Sequence, residues 1–400
     1  MGTPGTEKRS LTDPSRRLEA IPPYMFAELE RRIADKKKAG IDVISLGIGD
    51  PDHPTYGHVV EAMREAVANP ANQSYPSNRG RDELRAALRS FYASRFGVQI
   101  DPDREVMPAI GAKECIYNLC FAFLDPGDVA LAADPGYPVY TAGPTLAGAD
   151  AALLPLRPDL GFVPDLEELE REAGETLERA RLLFINYPNN PTGAIVPDGF
   201  FERVVELARR HEILVVHDNA YSETTFDGYV APSFLATPGA MEVGVEVFSL
   251  SKGFNMTGWR CAAILGNAEA IRSYWRLKTN VDSGLFEAVQ LAGAAALNGP
   301  RKAIDEMNEI YARRRDLVVG SLREIGVDIQ PPRGTIYVWA PVPDGHTSVS
   351  FSELVLEEAA VVVSPGSMYG PSGEGFFRIS LTTPDDRLTE ALERMREHLS

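Results

Sequence analysis

The stretch Ser249-Leu250-Ser251-Lys252-Gly253-Phe254-Asn255-Met256-Thr257-Gly258-Trp259-Arg260 decides how this chain reads. A lysine follows a mostly apolar run, Val243 to Leu250, and sits between small hydroxyls and a glycine, with an arginine eight residues on. Ser-Lys-Gly is also a common way for a strand to end in solvent, and on this segment alone that reading stands beside a chemical one. A lysine that must condense with an aldehyde has stricter needs: partial desolvation or nearby cations, both of which favour the free amine. The hydroxyls of Ser249 and Ser251 and the guanidinium of Arg260 are the donors a phosphate monoester requires. A small molecule carrying both groups is pyridoxal 5′-phosphate, and Lys252 is its candidate covalent anchor.

Outward from that segment, apolar runs alternate with helical patterns. Strands are expected at Ile41–Leu46, Val129–Ala132, Leu182–Asn186, Ile213–Asp218 and Val245–Leu250, and helices at 25–40, 57–68, 82–96, 111–123, 165–180 and 197–211. Runs such as Ile213-Leu-Val-Val216 are apolar without alternation, the pattern of a parallel sheet covered by helices on both faces. A long helix near 300–325 leads into a smaller region, 326–400, with strands near 335–340 and 376–381. A closing helix opens at Thr383-Pro384-Asp385-Asp386. Residues 1–20 are polar and read as a flexible arm. Gly47-Ile48-Gly49 offers two glycines of a dinucleotide fingerprint, but Asp52 fills the third place and Pro51 interrupts it.

Composition bounds the rest. A chain of 400 residues with 44% hydrophobic and 24% charged residues is long enough for a large core. Its net charge of −17 is spread along the chain, which argues against nucleic acid and anionic membrane surfaces as partners. The three cysteines, Cys115, Cys120 and Cys261, lack metal-ligand spacing and fit a reducing compartment. The six histidines form no H-E-x-x-H pattern, so no metal is expected. No apolar run reaches membrane-spanning length and residues 1–17 have no apolar signal core, so the expected location is the cytoplasm.

A pyridoxal cofactor needs more than a lysine. Its ring nitrogen stays protonated only beside a carboxylate, and Asp218, at the end of an apolar strand, is placed for that. A turn-forming aspartate is the rival reading. Tyr221 is within reach of the ring's phenolic oxygen, and Asn190, in Asn189-Asn-Pro-Thr-Gly193, has an amide able to donate to the same oxygen. Gly111-Ala112-Lys113 opens a helix whose free N–H groups make a phosphate site. Tyr137, in Asp134-Pro-Gly-Tyr137, is placed to stack on the ring. Arg378 lies mid-strand among apolar residues and must be paired there, either with a core carboxylate or with the carboxylate of a substrate. Lys113 and Tyr24 are candidates for a distal carboxylate, or else a surface charge and a packing residue.

The series Tyr137, Asn190-Pro-Thr-Gly193, Asp218-x-x-Tyr221, Ser249-x-Ser-Lys252, Arg260 and Arg378 resembles the class I/II aminotransferases, fold-type I pyridoxal enzymes, from about residue 20 to the C-terminus. The resemblance implies an α/β fold with a mostly parallel seven-stranded sheet between helices. It implies a large domain over 57–295 and a small one from 21–56 and 296–400. It also implies a homodimer with composite active sites, in which Tyr75 reaches the partner subunit's cofactor phosphate and Ser283 plays a similar part. Gly49, in the roof segment Gly47 to Gly49, Asn190 and Arg378 are then substrate contacts, as is Tyr24.

Within the class, the segments Pro22-Pro-Tyr24, Ser45-Leu-Gly-Ile-Gly-Asp-Pro51, Asp134-Pro-Gly-Tyr-Pro-Val-Tyr140, Asn186–Gly193 and Ser251–Arg260 are similar to bacterial LL-diaminopimelate aminotransferases. Those enzymes move an amino group between glutamate and tetrahydrodipicolinate. Better-known forms carry Tyr-Gly-Pro-Glu-Gln-Gly, whose glutamate helps read the distal ammonium group; here the stretch is Tyr75-Pro-Ser-Asn-Arg-Gly80, with Asn78 at the acid's place. The expected activity is ping-pong transamination between an L-amino acid and a 2-oxo acid. Aspartate, alanine or aromatic specificity and a β-lyase on the same scaffold are the alternatives. A cofactor-sensing regulator would need a DNA-binding domain, for which some twenty spare N-terminal residues are too few.

Overall fold

Apolar runs without alternation become strands buried on both sides. In a computed structural model describing residues 10–21 and 26–399, the strands in chain order are β1 (Ile44–Ser45), β2 (Val106–Ala109), β3 (Val129–Asp134), β4 (Asp150–Pro155), β5 (Ala180–Ile185) and β6 (Leu214–Asn219), then β7 (Gly244–Ser249), β8 (Ala262–Gly266), β9 (Tyr337–Pro341), β10 (Val361–Val362), β11 (Ser364–Pro365) and β12 (Phe376–Ser380). Seven form one sheet of order β2-β8-β7-β6-β5-β3-β4. β3 pairs in parallel with β4 and β5, β5 with β6, and β6 with β7. β8 is antiparallel to both β7 and β2, so β2 points the same way as β7. The C-terminal ends of β2, β3, β5, β6 and β7 therefore share one edge, where sites gather in open α/β sheets.

The pleat sends neighbouring side chains to opposite helix layers. Leu183, Val215, Phe248 and Leu265 pack with the Asp82–Phe96 and Phe200–His211 helices. Leu182, Val216, Val247 and Ile264 pack on the other face with the Ala112–Phe123 and Ala268–Val281 helices. A separate apolar cluster joins Ile44 and Leu46 to Val318, Ile336, Val338, Phe351, Phe377 and Ile379. It surrounds the antiparallel β11-β12-β9 sheet and the parallel β1-β10 pair, so stretches far apart in sequence build it together.

Several elements depart from expectation. The helix expected over 165–180 is two, Leu166–Glu172 and Gly174–Glu178, broken where Gly174 takes a positive φ of 38°. The expected strand Ile41–Leu46 shrinks to two residues, because the backbone beyond it leaves the ladder to serve other donors, as described below. β2, β4, β8 and the two-residue β10 and β11 were not anticipated. β2 contains Pro108, tolerated because β2 is an edge strand bonded only to β8. Of the expected arm, residues 1–9 lie outside the described residues. Arg16–Glu19 form a helical turn capped by the Ser15 hydroxyl, so the arm is not wholly without structure. Among the described residues, no helix is long and apolar enough to cross a membrane, and no cluster suited to a metal occurs. All three cysteines are buried and free.

Candidate active site

The strand ends bring most of the expected residues together through one unbroken run of contacts. Lys252, three residues past β7, donates from Nζ to the Gly49 carbonyl at 2.5 Å. Gly49 has no room for a side chain, since a Cβ would overlap the Tyr337 hydroxyl. Tyr337, opening β9, accepts a hydrogen bond from Tyr221 Oη at 3.3 Å. The Arg378 guanidinium lies 3.9 Å from the Tyr337 ring centre and 4.8 Å from that of Tyr369. Arg378 Nη1 donates to Asn190 Oδ1 at 2.9 Å, and Nη2 to the Gly47 carbonyl at 2.8 Å. The Asn190 N–H donates to Asn186 Oδ1 at 2.7 Å, and Asn186 Nδ2 donates to the Asp218 carbonyl at 2.7 Å. Tyr140 Oη donates to Asp218 Oδ2 at 2.8 Å. The Tyr137 ring meets that of Tyr140 edge-on at 5.9 Å, with Lys113 Nζ 5.5 Å from its centre.

Two buried charges in this run lack a counter-ion. Asp218 is buried, and its Oδ1 has no hydrogen-bond partner. Burial pushes its carboxyl up to about 6, against the Tyr140 hydrogen bond and the neighbouring His217, which pull the other way. Arg378 is also buried, yet its partners are an amide and a carbonyl, and its Nε has none. A buried guanidinium held by neutral acceptors is a site waiting for an anion. Burial also pushes the Tyr221 phenol well above its ordinary value. Tyr337 is the reverse: burial raises it, but the Arg378 and Lys252 cations outweigh that, leaving a more acidic phenol.

Beneath Asp218, Glu246 is wholly buried on β7 and takes hydrogen bonds from Tyr92, Asn219, Ser233 and the Phe234 N–H. Glu246 Oε2, which takes the Ser233 and Phe234 bonds, also faces His217 Nδ1 at 2.9 Å, while His217 Nε2 faces the Tyr187 carbonyl at 3.1 Å. The imidazole thus links Glu246 on β7 to the Tyr187 carbonyl beyond β5, bracing β6 against both neighbouring strands. It fixes the strand that presents Asp218.

The phosphate-side candidates also converge. Gly111 stands at the N-terminus of the Ala112–Phe123 helix, and a Cβ there would overlap the Arg260 guanidinium. Arg260 has a positive φ of 56°, a costly conformation for a residue with a side chain. Ser249 and Ser251 are buried, with the Ser251 N–H on Ser249 Oγ at 3.2 Å. Other candidates stand apart. Tyr75 is 88% exposed, and Asn78 and Ser283 are exposed too, so none joins the site within this chain. Tyr24 lies outside the described residues.

Tyr140, Asn186, Tyr337 and Tyr369 had no part in the residue-by-residue reading. For Tyr140 the signal was available: it follows Asp134 by six residues, in the first turn of the Val139–Ala147 helix that the Tyr137 loop leads into. For Tyr337 the only hint was Gly334-Thr335, a tight approach to an apolar strand, with Thr335 at a φ of 72°.

The model of the family "Aminotransferase class I and II" matches residues 41–395. The chain is 54% identical to the LL-diaminopimelate aminotransferase of Desulforudis audaxviator over 382 residues, 96% of this chain and 97% of that one. It is 49% identical to the enzyme of the same name from Moorella thermoacetica, over 96% and 98%. Among solved structures, substrate-bound BacF from Bacillus subtilis superposes with a TM-score of 0.91 at 37% identity, over 96% of this chain and 97% of that chain.

Proposed function

The chain belongs to the class I and II aminotransferases and is a pyridoxal 5′-phosphate-dependent enzyme acting on small molecules, and from that premise we propose that it is an LL-diaminopimelate aminotransferase of lysine biosynthesis. One observation carries the site assignment: the buried Asp218 Oδ1 without a partner, at the strand edge where Lys252 and Arg378 also arrive. A protonated pyridine nitrogen supplies the donor that this oxygen lacks. The crowded Gly111–Arg260 approach at a helix N-terminus suits a phosphate. The residues present therefore fit the cofactor.

In this reading Lys252 anchors the cofactor, Asp218 holds its ring nitrogen, and Tyr221 and Asn190 face its phenolic oxygen. Tyr137 stacks on the ring. Gly111, Ala112, Lys113, Ser249, Ser251 and Arg260 receive the phosphate, joined by the partner subunit's Tyr75, whose exposure here favours a homodimer. When bound, the cofactor supplies an aldehyde carbon and an electron sink for the substrate's Cα. Arg378 clamps the α-carboxylate, displacing the Gly47 carbonyl from Nη2. Lys252 Nζ, released from its anchoring role, takes the Cα proton and later returns one. The Gly47–Gly49 segment roofs the reacting atoms and, with Tyr24, meets the substrate. The two units, 57–295 on one side and 21–56 with 296–400 on the other, meet across this cleft, and the protein works in the cytoplasm.

The substrate is tested by single-turnover absorbance. Cofactor-loaded protein is mixed separately with glutamate, LL-diaminopimelate, aspartate, alanine and tyrosine. Loss of the visible band with the first two alone is expected. Bleaching by aspartate, alanine or tyrosine while LL-diaminopimelate does nothing would overturn the substrate and leave the chemistry standing.

A further inference from the structure

Tyr337 stands at the centre of the contact run and has no role in the assignment above. Its hydroxyl takes the hydrogen bond of Tyr221 at 3.3 Å, and its ring carries the Arg378 guanidinium at 3.9 Å. Its hydroxyl also fills the space a side chain on Gly49 would need, and the Gly49 carbonyl holds Lys252 Nζ. One phenol thus touches the group assigned to the substrate carboxylate, the group assigned to the ring oxygen and, through a single peptide unit, the anchoring lysine. We propose that Tyr337 is a positioning residue for the transamination: its ring fixes the height of the Arg378 clamp, and its hydroxyl sets how strongly Tyr221 donates. This rests on the cofactor assignment given above.

Tyr221 has one hydroxyl proton, and here it points to Tyr337. Once Tyr221 donates to the ring oxygen instead, the Tyr337 proton is free to turn toward the Tyr221 oxygen. A hydroxyl that accepts a hydrogen bond donates more strongly in turn. The charged and titratable groups facing the pair are Arg378 from β12, Lys252 beyond β7 and Asp218 from β6. With Lys252 committed to the cofactor, the Arg378 cation against its ring still favours Tyr337 as the donor of the two. The ring acts separately. Its π-face is the surface against which a desolvated guanidinium is held without a carboxylate.

Two variants separate the parts. Tyr337→Phe keeps the platform and loses the proton; Tyr337→Leu loses both. The holoenzyme is titrated with pH to find the midpoint of its visible cofactor band, and then with glutarate, a dicarboxylate lacking the amino group. Without the Tyr337 proton the ring-oxygen anion is less well held. The midpoint of Tyr337→Phe should therefore rise by about half a pH unit, roughly threefold in proton affinity, with glutarate affinity unchanged. Tyr337→Leu should show the same rise and bind glutarate about tenfold more weakly. An unmoved midpoint in Tyr337→Phe overturns the proposal, and should Tyr337→Leu fail to fold, that variant alone decides. Wild-type glutarate affinity in a folded Tyr337→Leu overturns the platform role. A wild-type protein that forms no visible band with pyridoxal phosphate would instead sink the cofactor assignment, a failure separable from the other two.

Discussion

Replacing Asp218 by asparagine should make the cofactor-free protein relatively more stable, and increasingly so as pH rises. Asp218 Oδ1 is buried without a partner, and burial pushes the carboxyl from its ordinary 3.8 to about 6. A carboxylate raised on folding penalises the native state; the penalty is absent below 3.8 and complete above 6. Partitioning between those two values gives a cost of about 2 kcal/mol at pH 5 and about 3 kcal/mol at pH 8. The difference, on the order of 1 kcal/mol, is the quantity to measure, because Asp218→Asn lacks it while every other titrating group is shared. At about 2 cal/mol/K of unfolding entropy per residue, 400 residues turn it into a change in Tm of about 1–2 °C. Scanning calorimetry of both cofactor-free proteins at pH 5 and pH 8 should show wild type losing that much ground to the variant. Saturating cofactor should close the gap, since a pyridinium N–H gives Oδ1 its partner. An equal difference at both pH values, or one moving the other way, would refute the picture of a buried carboxylate held ready and unpaired.

Arg378→Ala should lower kcat/KM for both half-reactions by about 2–3 kcal/mol, roughly 30- to 150-fold, and Arg378→Lys should not restore it, because a point charge cannot replace the planar fork; steady-state kinetics with each substrate decides this. Gly49→Ala drives a methyl group into the Tyr337 hydroxyl, so a loss of about 1–3 kcal/mol of stability and a drop in turnover are expected from denaturant melts and rate assays. Tyr140→Phe removes the bond that opposes the upward push on Asp218. Its cofactor dissociation constant at pH 6, read by fluorescence titration, should rise about fivefold, or about 1 kcal/mol.

The sheet was legible because β5, β6 and β7 are largely apolar runs that end in residues suited to chemistry: Asn186 to Asn190, Asp218, and Ser249 to Lys252. The edge strands were not, since β2 contains a proline and β4 is half exposed, and both depart from the pattern of a strand buried on two sides. Most of the candidate site was visible for a related reason. A lysine, an aspartate or an arginine inside an apolar stretch announces itself by the cost of burial. Tyr140 and Tyr337 announce nothing, because a tyrosine in a core is ordinary; only the position of the hydroxyl, on Asp218 in one case and Tyr221 in the other, marks it as polar machinery. The break at Gly174 was hidden because glycine inside a helical pattern is tolerated as often as it interrupts.

The Arg378 bond to the Gly47 carbonyl spans 331 positions, and β1 pairs with β10 in the same manner. On a ribosome, the wall that holds Asp218 and Lys252 is synthesised complete while the strand bearing Arg378 is still about 130 residues away, on the order of ten seconds at ordinary elongation rates. Through that interval the nascent chain has the residues that grip a cofactor and lacks the arginine that clamps a substrate's carboxylate. The arginine that licenses turnover is among the last parts of the site to be made, so an unfinished chain has its electrophile wall before it has a charge to hold an amino acid's carboxylate against it.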